Sequence, residues 1–234
     1  MATAKPVWLF DLDNTLHNAS HAAFAPMSQA MGAYIERELD IDSEAASALR
    51  RRYFDRYGAT LLGLVRHHGV DAAHFLHETH LLPGLEARVH SHPHDLAALR
   101  GLPGRKILLT NAPLHYTRRV LGVLGIARFF DAVVSIEDMH MFGSLRPKPD
   151  ARMLRRLAAR LRVRPQQCVL VEDSLENQKA AHRIGMRTVW MQRWTRIATW
   201  GAAAQARVTM QPPYVGCQVR SLAALKRRSF TGSS

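Results

Sequence analysis

Two aspartates one residue apart, Asp11 and Asp13, come straight after the apolar run Val7-Trp8-Leu9-Phe10. Two further apolar runs also end in polar groups. Ile107-Leu108-Leu109 leads into Thr110-Asn111, and Cys168-Val169-Leu170-Val171 leads into Glu172-Asp173-Ser174. Between them, Arg146-Pro147-Lys148-Pro149 holds a lysine between two prolines. In open parallel sheets, ligands bind at the carboxyl ends of the strands. If these runs are strands of one such sheet, a single edge collects several carboxylates, a hydroxyl, an amide and an ammonium.

That set resembles the haloacid dehalogenase (HAD) superfamily. Its Asp-x-Asp-x-Thr motif is matched by Asp11-Leu12-Asp13-Asn14-Thr15, its second-strand Ser/Thr by Thr110, its lysine by Lys148 and its acidic motif by Glu172-Asp173. The resemblance covers nearly the whole chain. It implies that Asp11 is a nucleophile forming an aspartyl-phosphate, and that Asp13 protonates the leaving alkoxide and then activates water. It implies that Mg2+ is held by Asp11, the Asp13 carbonyl and Asp173, with Glu172 acting behind them or through water. Thr110 and the Asn111 amide would bind phosphoryl oxygens, and Lys148 would balance the anionic charge.

The chemistry accounts for the spacing. A carboxylate attacks a phosphate ester poorly because both are anionic, and a divalent cation neutralises charge on both. Magnesium takes oxygen ligands, commonly one or two carboxylates with water and phosphate. Asp13 favours phosphoryl transfer over dehalogenation, which releases no alkoxide to protonate. The family signature has a further aspartate where this chain has Asn177. An asparagine can fix a metal-bound water but contributes no charge.

The elements that must position these groups follow from periodicity. Val7–Phe10, Ile107–Leu109, Ala132–Val134, Cys168–Val171 and Thr188–Trp190 are too short for buried helices and apolar without alternation, as strands covered on both faces are. Helical patterns lie between them. Asp150 and Ser174 are placed to cap two of the helices. The expected fold is α/β, a Rossmann-like parallel sheet with helices on both faces. Residues 17–91 break the rhythm with helical spacing only, and are expected to form an inserted all-helical cap. The core would then comprise residues 1–16 and 92–234.

The net charge is +13, with 32 Lys+Arg against 19 Asp+Glu. Between Arg146 and Arg164 eight basic residues face Asp150 alone. No aromatics interleave them, so a solvated helix face is expected and no specific nucleic acid. No apolar run approaches the ~20 residues of a membrane span. Two distant cysteines and no room for a signal peptide before Val7 point to a reduced, cytoplasmic protein. The thirteen histidines lack a His-Glu-x-x-His pattern and are expected on the surface or in cap packing.

For the substrate, a small phosphorylated metabolite, the resemblance narrows to the pyrimidine 5′-nucleotidase branch. Tyr57-Gly58-Ala59-Thr60-Leu61-Leu62-Gly63-Leu64, Thr110-Asn111-Ala112 and Glu172-Asp173-Ser174-Leu175-Glu176-Asn177 carry it. Tyr53, Phe54, Tyr57 and Phe75 either stack on a base or form the core of the cap. The alternatives are a sugar-phosphate or phosphoglycolate phosphatase and, from another class, a non-catalytic binding protein using its basic surface.

Overall fold

The computed structural model describes residues 5–194 and 211–227. β1 (Val7–Phe10) leads into a loop and α1 (Ala19–Ala22). Then follow α2 (Phe24–Leu39), α3 (Ser43–Tyr57), α4 (Thr60–His68), α5 (Ala72–Thr79) and α6 (Leu85–Arg88). The chain continues through α7 (Pro93–Gly101), β2 (Arg105–Leu109), α8 (Leu114–Leu124), β3 (Ala132–Val134) and a hairpin of β4 (His140–Met141) and β5 (Ser144–Leu145). It closes with α9 (Ala151–Arg160), β6 (Cys168–Glu172), α10 (Leu175–Arg183), β7 (Arg187–Met191) and β8 (Cys217–Val219).

Six strands form one parallel sheet in the order β3-β2-β1-β6-β7-β8. The first three strands build outward from β1 on one side and the last three on the other. The order therefore reverses at β1 and β6, where such sheets leave a crevice for ligands. Every residue of β1 is buried, because both faces of the sheet are covered. Val7 and Leu9 join Met153, Leu154 and Leu157 of α9 and Ala180 and Ala181 of α10 in one core cluster. Trp8 and Phe10, on the opposite face, stack on each other at 6.0 Å, and Trp8 Nε1 donates to the Pro103 carbonyl.

The helix ends follow local chemistry. The Asp150 carboxylate accepts from Arg152 N and Met153 N, and the Ser174 hydroxyl from Asn177 N. These side chains satisfy N–H groups that a first turn leaves unpaired. On α9 the apolar residues Met153, Leu154, Leu157 and Ala158 are buried while Arg152, Arg155, Arg156 and Arg160 are exposed. The basic run is thus a solvated face. Both cysteines are buried and neither forms a disulfide. No helix among the described residues is long and apolar enough to cross a membrane.

The chain divides into two compact units, residues 21–88 and the remainder. The smaller unit is helical throughout, and its division is narrower than the 17–91 interval for a physical reason. Ser20 N donates to Asn14 Oδ1, Asn14 Nδ2 donates to Ser20 Oγ, and Asn18 N donates to the His90 carbonyl. These bonds keep residues 17–20 and 89–91 with the sheet. Inside the helical unit Tyr53 and Phe75 are buried. The ring of Tyr53 packs so closely on Gly63 that a Cβ there would meet it at 2.1 Å. Tyr53 and Phe75 are therefore core residues of this unit, while Phe54 is 61% exposed.

Candidate active site

Three strand ends deliver the candidate groups to one edge. Val171 O accepts from Asp11 N, which carries β1 alongside β6 and brings Asp11 level with Glu172. The turn after Asp13 places Asn14 at φ 55°, in the left-handed region that asparagine tolerates better than most residues. The Ser20 bonds hold it there. At the end of β6 the main chain is pinned from two sides. Gln178 Nε2 donates to the Glu172 and Val189 carbonyls, and Trp190 Nε1 donates to the Asp173 carbonyl.

Lys148 is the centre of the arrangement. Its Nζ lies 2.7 Å from Asp11 Oδ1 and 2.7 Å from Glu172 Oε2, with the side chain almost wholly buried. Thr15 Oγ1 donates to the other Asp11 oxygen at 3.3 Å. Asn111 reaches across from β2: its Nδ2 donates to the Lys148 carbonyl and its Oδ1 accepts from Lys148 N, both at 2.9 Å. The Asn111 side chain is thus engaged at both ends. Thr110 is buried beside it, and its hydroxyl accepts from Ala112 N.

The charges are out of balance. Carboxylate oxygens of Asp11, Glu172 and Asp173 lie within 4.8 Å of one another, with one ammonium among them. Burial and then the charge of Glu172 push Asp11 up to about 7, although Lys148 opposes the rise. Burial, Glu172 and Asp11 push Asp173 up to about 9. Burial pulls Lys148 down, but Asp11 and Glu172 outweigh it and leave it raised. Crowded carboxylates that resist ionisation are the mark of a site short of positive charge. An all-oxygen donor set suits Mg2+, so the residues fit the expected ion. Among the described residues this is the one cluster of three or more acidic, histidine or cysteine groups so arranged, and no histidine belongs to it.

Asp13 stands apart from that cluster. Its Oδ1 accepts from Tyr116 Oη at 2.8 Å and from His17 Nε2 at 2.9 Å. Burial first, and then Asp13 itself, raise the Tyr116 phenol far above its ordinary value, so it stays a donor. Neither partner is legible in the sequence: Tyr116 is 103 residues from Asp13, and His17 falls in the interval expected to form the helical insert. Asn177 sits in the first turn of α10 with its main-chain N–H on Ser174. No hydrogen bond joins its side chain to the three carboxylates among the described residues.

Comparison with known proteins adds the following. The family model described as haloacid dehalogenase-like hydrolase matches residues 7–185. A curated relative, "Phosphate metabolism protein 8" of Saccharomyces cerevisiae, is 28% identical over 141 residues, covering 56% of this chain and 43% of that protein. Phosphoglycolate phosphatase of Escherichia coli is 31% identical over 150 residues, covering 64% of this chain and 50% of that protein. The chain thus spans about half the length of these curated relatives. The crystal structure of a HAD phosphatase from Thermococcus onnurineus superposes with a TM-score of 0.59 at 21% identity, covering 96% of this chain and 97% of that one. At that identity the likeness is one of fold.

Proposed function

The chain belongs to the haloacid dehalogenase-like hydrolase family, and from that premise we propose that it is a magnesium-dependent phosphomonoesterase working through an aspartyl-phosphate. The observation that carries the reading is the meeting of Asp11, Lys148, Glu172 and Asp173 at one strand edge. An Asp11 oxygen bonds to phosphorus, the bond from phosphorus to the ester oxygen breaks, and that oxygen takes a proton from Asp13. Asp13 then accepts a proton from water as the water oxygen displaces Asp11 from phosphorus. Inorganic phosphate leaves, and both carboxyl groups return to their starting states.

Asp11, the Asp13 carbonyl and Asp173 would hold the Mg2+, with Glu172 and Asn177 behind them. When bound, it supplies neutralisation of the anionic nucleophile and phosphate. Lys148 steadies Asp11 and offsets phosphoryl charge, while Thr110 and the Asn111 main-chain N–H receive phosphoryl oxygens. The acid at Asp13 suits an alkoxide leaving group and so favours ester hydrolysis over dehalogenation.

For the substrate we propose a pyrimidine nucleoside 5′-monophosphate, with the helical unit of residues 21–88 serving as the selecting cap in a reducing, cytoplasmic setting. Support comes from the resemblance of Tyr57–Leu64 and of the two strand-end segments, and from Phe54 and Tyr57, aromatics not fully buried in the unit's core. A second reading, phosphoglycolate, is favoured by the Escherichia coli relative and by the loss of Tyr53 and Phe75 to packing. Measuring kcat/KM for UMP, CMP, AMP, GMP, phosphoglycolate and a hexose phosphate, with Mg2+ and with chelator, tests both levels. A tenfold preference for phosphoglycolate or the sugar phosphate rejects the nucleotide and keeps the chemistry. Folded protein inactive on every ester, and on an aryl phosphate, with or without Mg2+, rejects the enzyme and favours a basic binding protein.

A further inference from the structure

Asp13 is held by two buried residues that nothing in the nucleophile or metal cluster requires. Tyr116 Oη and His17 Nε2 both converge on the same oxygen, Oδ1, at 2.8 and 2.9 Å, and lie 3.4 Å from each other. Each residue is 0% exposed, whereas the Asp13 side chain retains 20%. His17 is tied to the same turn by a backbone bridge to Asp13. Tyr116 comes from the first turn of α8, in the chain segment between β2 and β3. The other ring nitrogen of His17, Nδ1, is buried without a hydrogen-bond partner. Its polar contacts thus run through Nε2, toward Asp13 and Tyr116. A buried ring nitrogen left unmatched costs stability, and such exceptions in native proteins call for a reason. Fixing Asp13 supplies one.

We propose that His17 and Tyr116 are positioning residues that clamp Asp13 Oδ1 so that its proton is exchanged at Oδ2. The inference rests on the acid–base role given to Asp13 above. Two donors on Oδ1 fix the plane and rotation of the carboxyl group, since one hydrogen bond leaves a carboxylate free to swing about it and two from different elements do not. With Oδ1 already accepting twice, the acid proton resides on Oδ2. It passes to the ester oxygen as the bond from phosphorus to that oxygen breaks, and Oδ2 recovers a proton from water in the second half-reaction. A carboxyl group aimed in advance loses no time or entropy in finding the leaving oxygen. A clamp of this kind therefore acts on the rate of leaving-group departure and not on substrate affinity.

The test is a leaving-group comparison on purified full-length protein with Mg2+, using β-glycerol phosphate and p-nitrophenyl phosphate. The quantity is kcat/KM, which includes leaving-group departure whatever the rate of phosphoenzyme hydrolysis. Tyr116→Phe deletes only the hydroxyl, and His17→Leu replaces the ring with an apolar side chain. Each is expected to lower kcat/KM about tenfold on the alkyl ester, a part of the ~10²- to 10⁴-fold that general acid catalysis supplies. Each should lower it less than about threefold on the aryl ester, whose leaving group needs little protonation. His17→Gln, which keeps a donor, should recover part of the loss. Asp13→Asn is the reference and should show the largest difference between the esters. If it does while Tyr116→Phe lowers both esters equally or neither, the clamp is overturned and the role of Asp13 stands. If Asp13→Asn shows no difference between the esters, that role and the clamp fall together. Should His17→Leu not fold, the near-isosteric Tyr116→Phe decides alone.

Discussion

The side chain of Asn111 is bonded twice to the main chain of Lys148, donating to its carbonyl and accepting from its N–H. This pair joins the end of β2 to a segment 37 residues further on. It fixes the origin of the side chain whose ammonium lies between Asp11 and Glu172. Lys148 is nearly fully buried, so it cannot correct a displaced backbone by reaching further through solvent.

Asn111→Ala removes both bonds and lets the Lys148 backbone drift. A misplacement near 1 Å from a residue outside the reacting atoms can cost about 10²-fold in rate. We expect a kcat loss of that order, with Asn111→Asp intermediate because it keeps the acceptor and loses the donor. Steady-state kinetics on p-nitrophenyl phosphate measures it. Equal, small losses in both variants would separate the clasp from catalysis.

Asp11→Asn should abolish turnover with the fold retained, because an amide matches the carboxylate in shape and cannot serve as the nucleophile. The variant still presents Oδ1 to Lys148 as an acceptor, and Glu172 keeps its own bond to Nζ. Circular dichroism should match the parent while phosphate release falls to background. Near-parent turnover in a carefully purified sample would falsify the aspartyl-phosphate route.

The raised carboxylates predict how stability responds to pH and to magnesium. Asp11 stands at about 7 and Asp173 at about 9, against roughly 4 in an unfolded chain. Between pH 4 and 9 the folded protein therefore holds protons that the unfolded chain has released, and stability contributed by these groups falls as pH rises. A divalent cation at the cluster favours the ionised forms and opposes that fall. The increase in Tm on adding MgCl2 should thus be small near pH 5 and grow toward pH 9. Melting curves with MgCl2 and with chelator at each pH give the difference directly, so groups elsewhere cancel. Asp173→Asn should flatten it. A gain that is constant or shrinks with pH contradicts the placement of the ion.

What could be read in the sequence, and what could not, divides along physical lines. Val7–Phe10, Ile107–Leu109 and Cys168–Val171 are legible because a strand buried on both faces must be apolar at every position. β8 is three residues long with Gln218 at its centre, and its identity as a strand rests on pairing with β7. The β4–β5 hairpin has two residues a side, turned by Phe142 and Gly143 at positive φ, too short for any period. Asp11, Glu172 and Asp173 are legible since each follows or ends a strand of recognisable type, and Lys148 since it lies between two prolines. The Asn111 clasp is not, because the same amide in the same place reads equally well as a ligand donor. Nor is Tyr116, whose hydroxyl meets a carboxylate 103 residues away with no local pattern to announce it.

The aromatics of the helical unit give the last prediction, because burial now separates them. Tyr53 and Phe75 are packed inside it, so truncating either to alanine should cost about 3–5 kcal/mol of stability through the cavity left behind. That loss appears as a lower Tm and is the same whatever the substrate. Tyr57 is only half-buried, its hydroxyl bonded to His67 Nε2, with Arg56 and Arg66 within 6 Å of its ring. A ring flanked by cations is suited to stack on a base attached to a phosphate, and such stacking contributes about 1–3 kcal/mol. If the substrate is a nucleotide held by this ring, Tyr57→Ala should raise KM for UMP roughly tenfold and leave KM for phosphoglycolate within twofold. Phe54→Ala serves as the control, since Phe54 is exposed and no cation among the described residues lies over its ring. A Tyr57 variant with unchanged KM on UMP removes this ring from base recognition, and one that raises both KM values alike points to Arg56 and Arg66 acting on the shared phosphate instead.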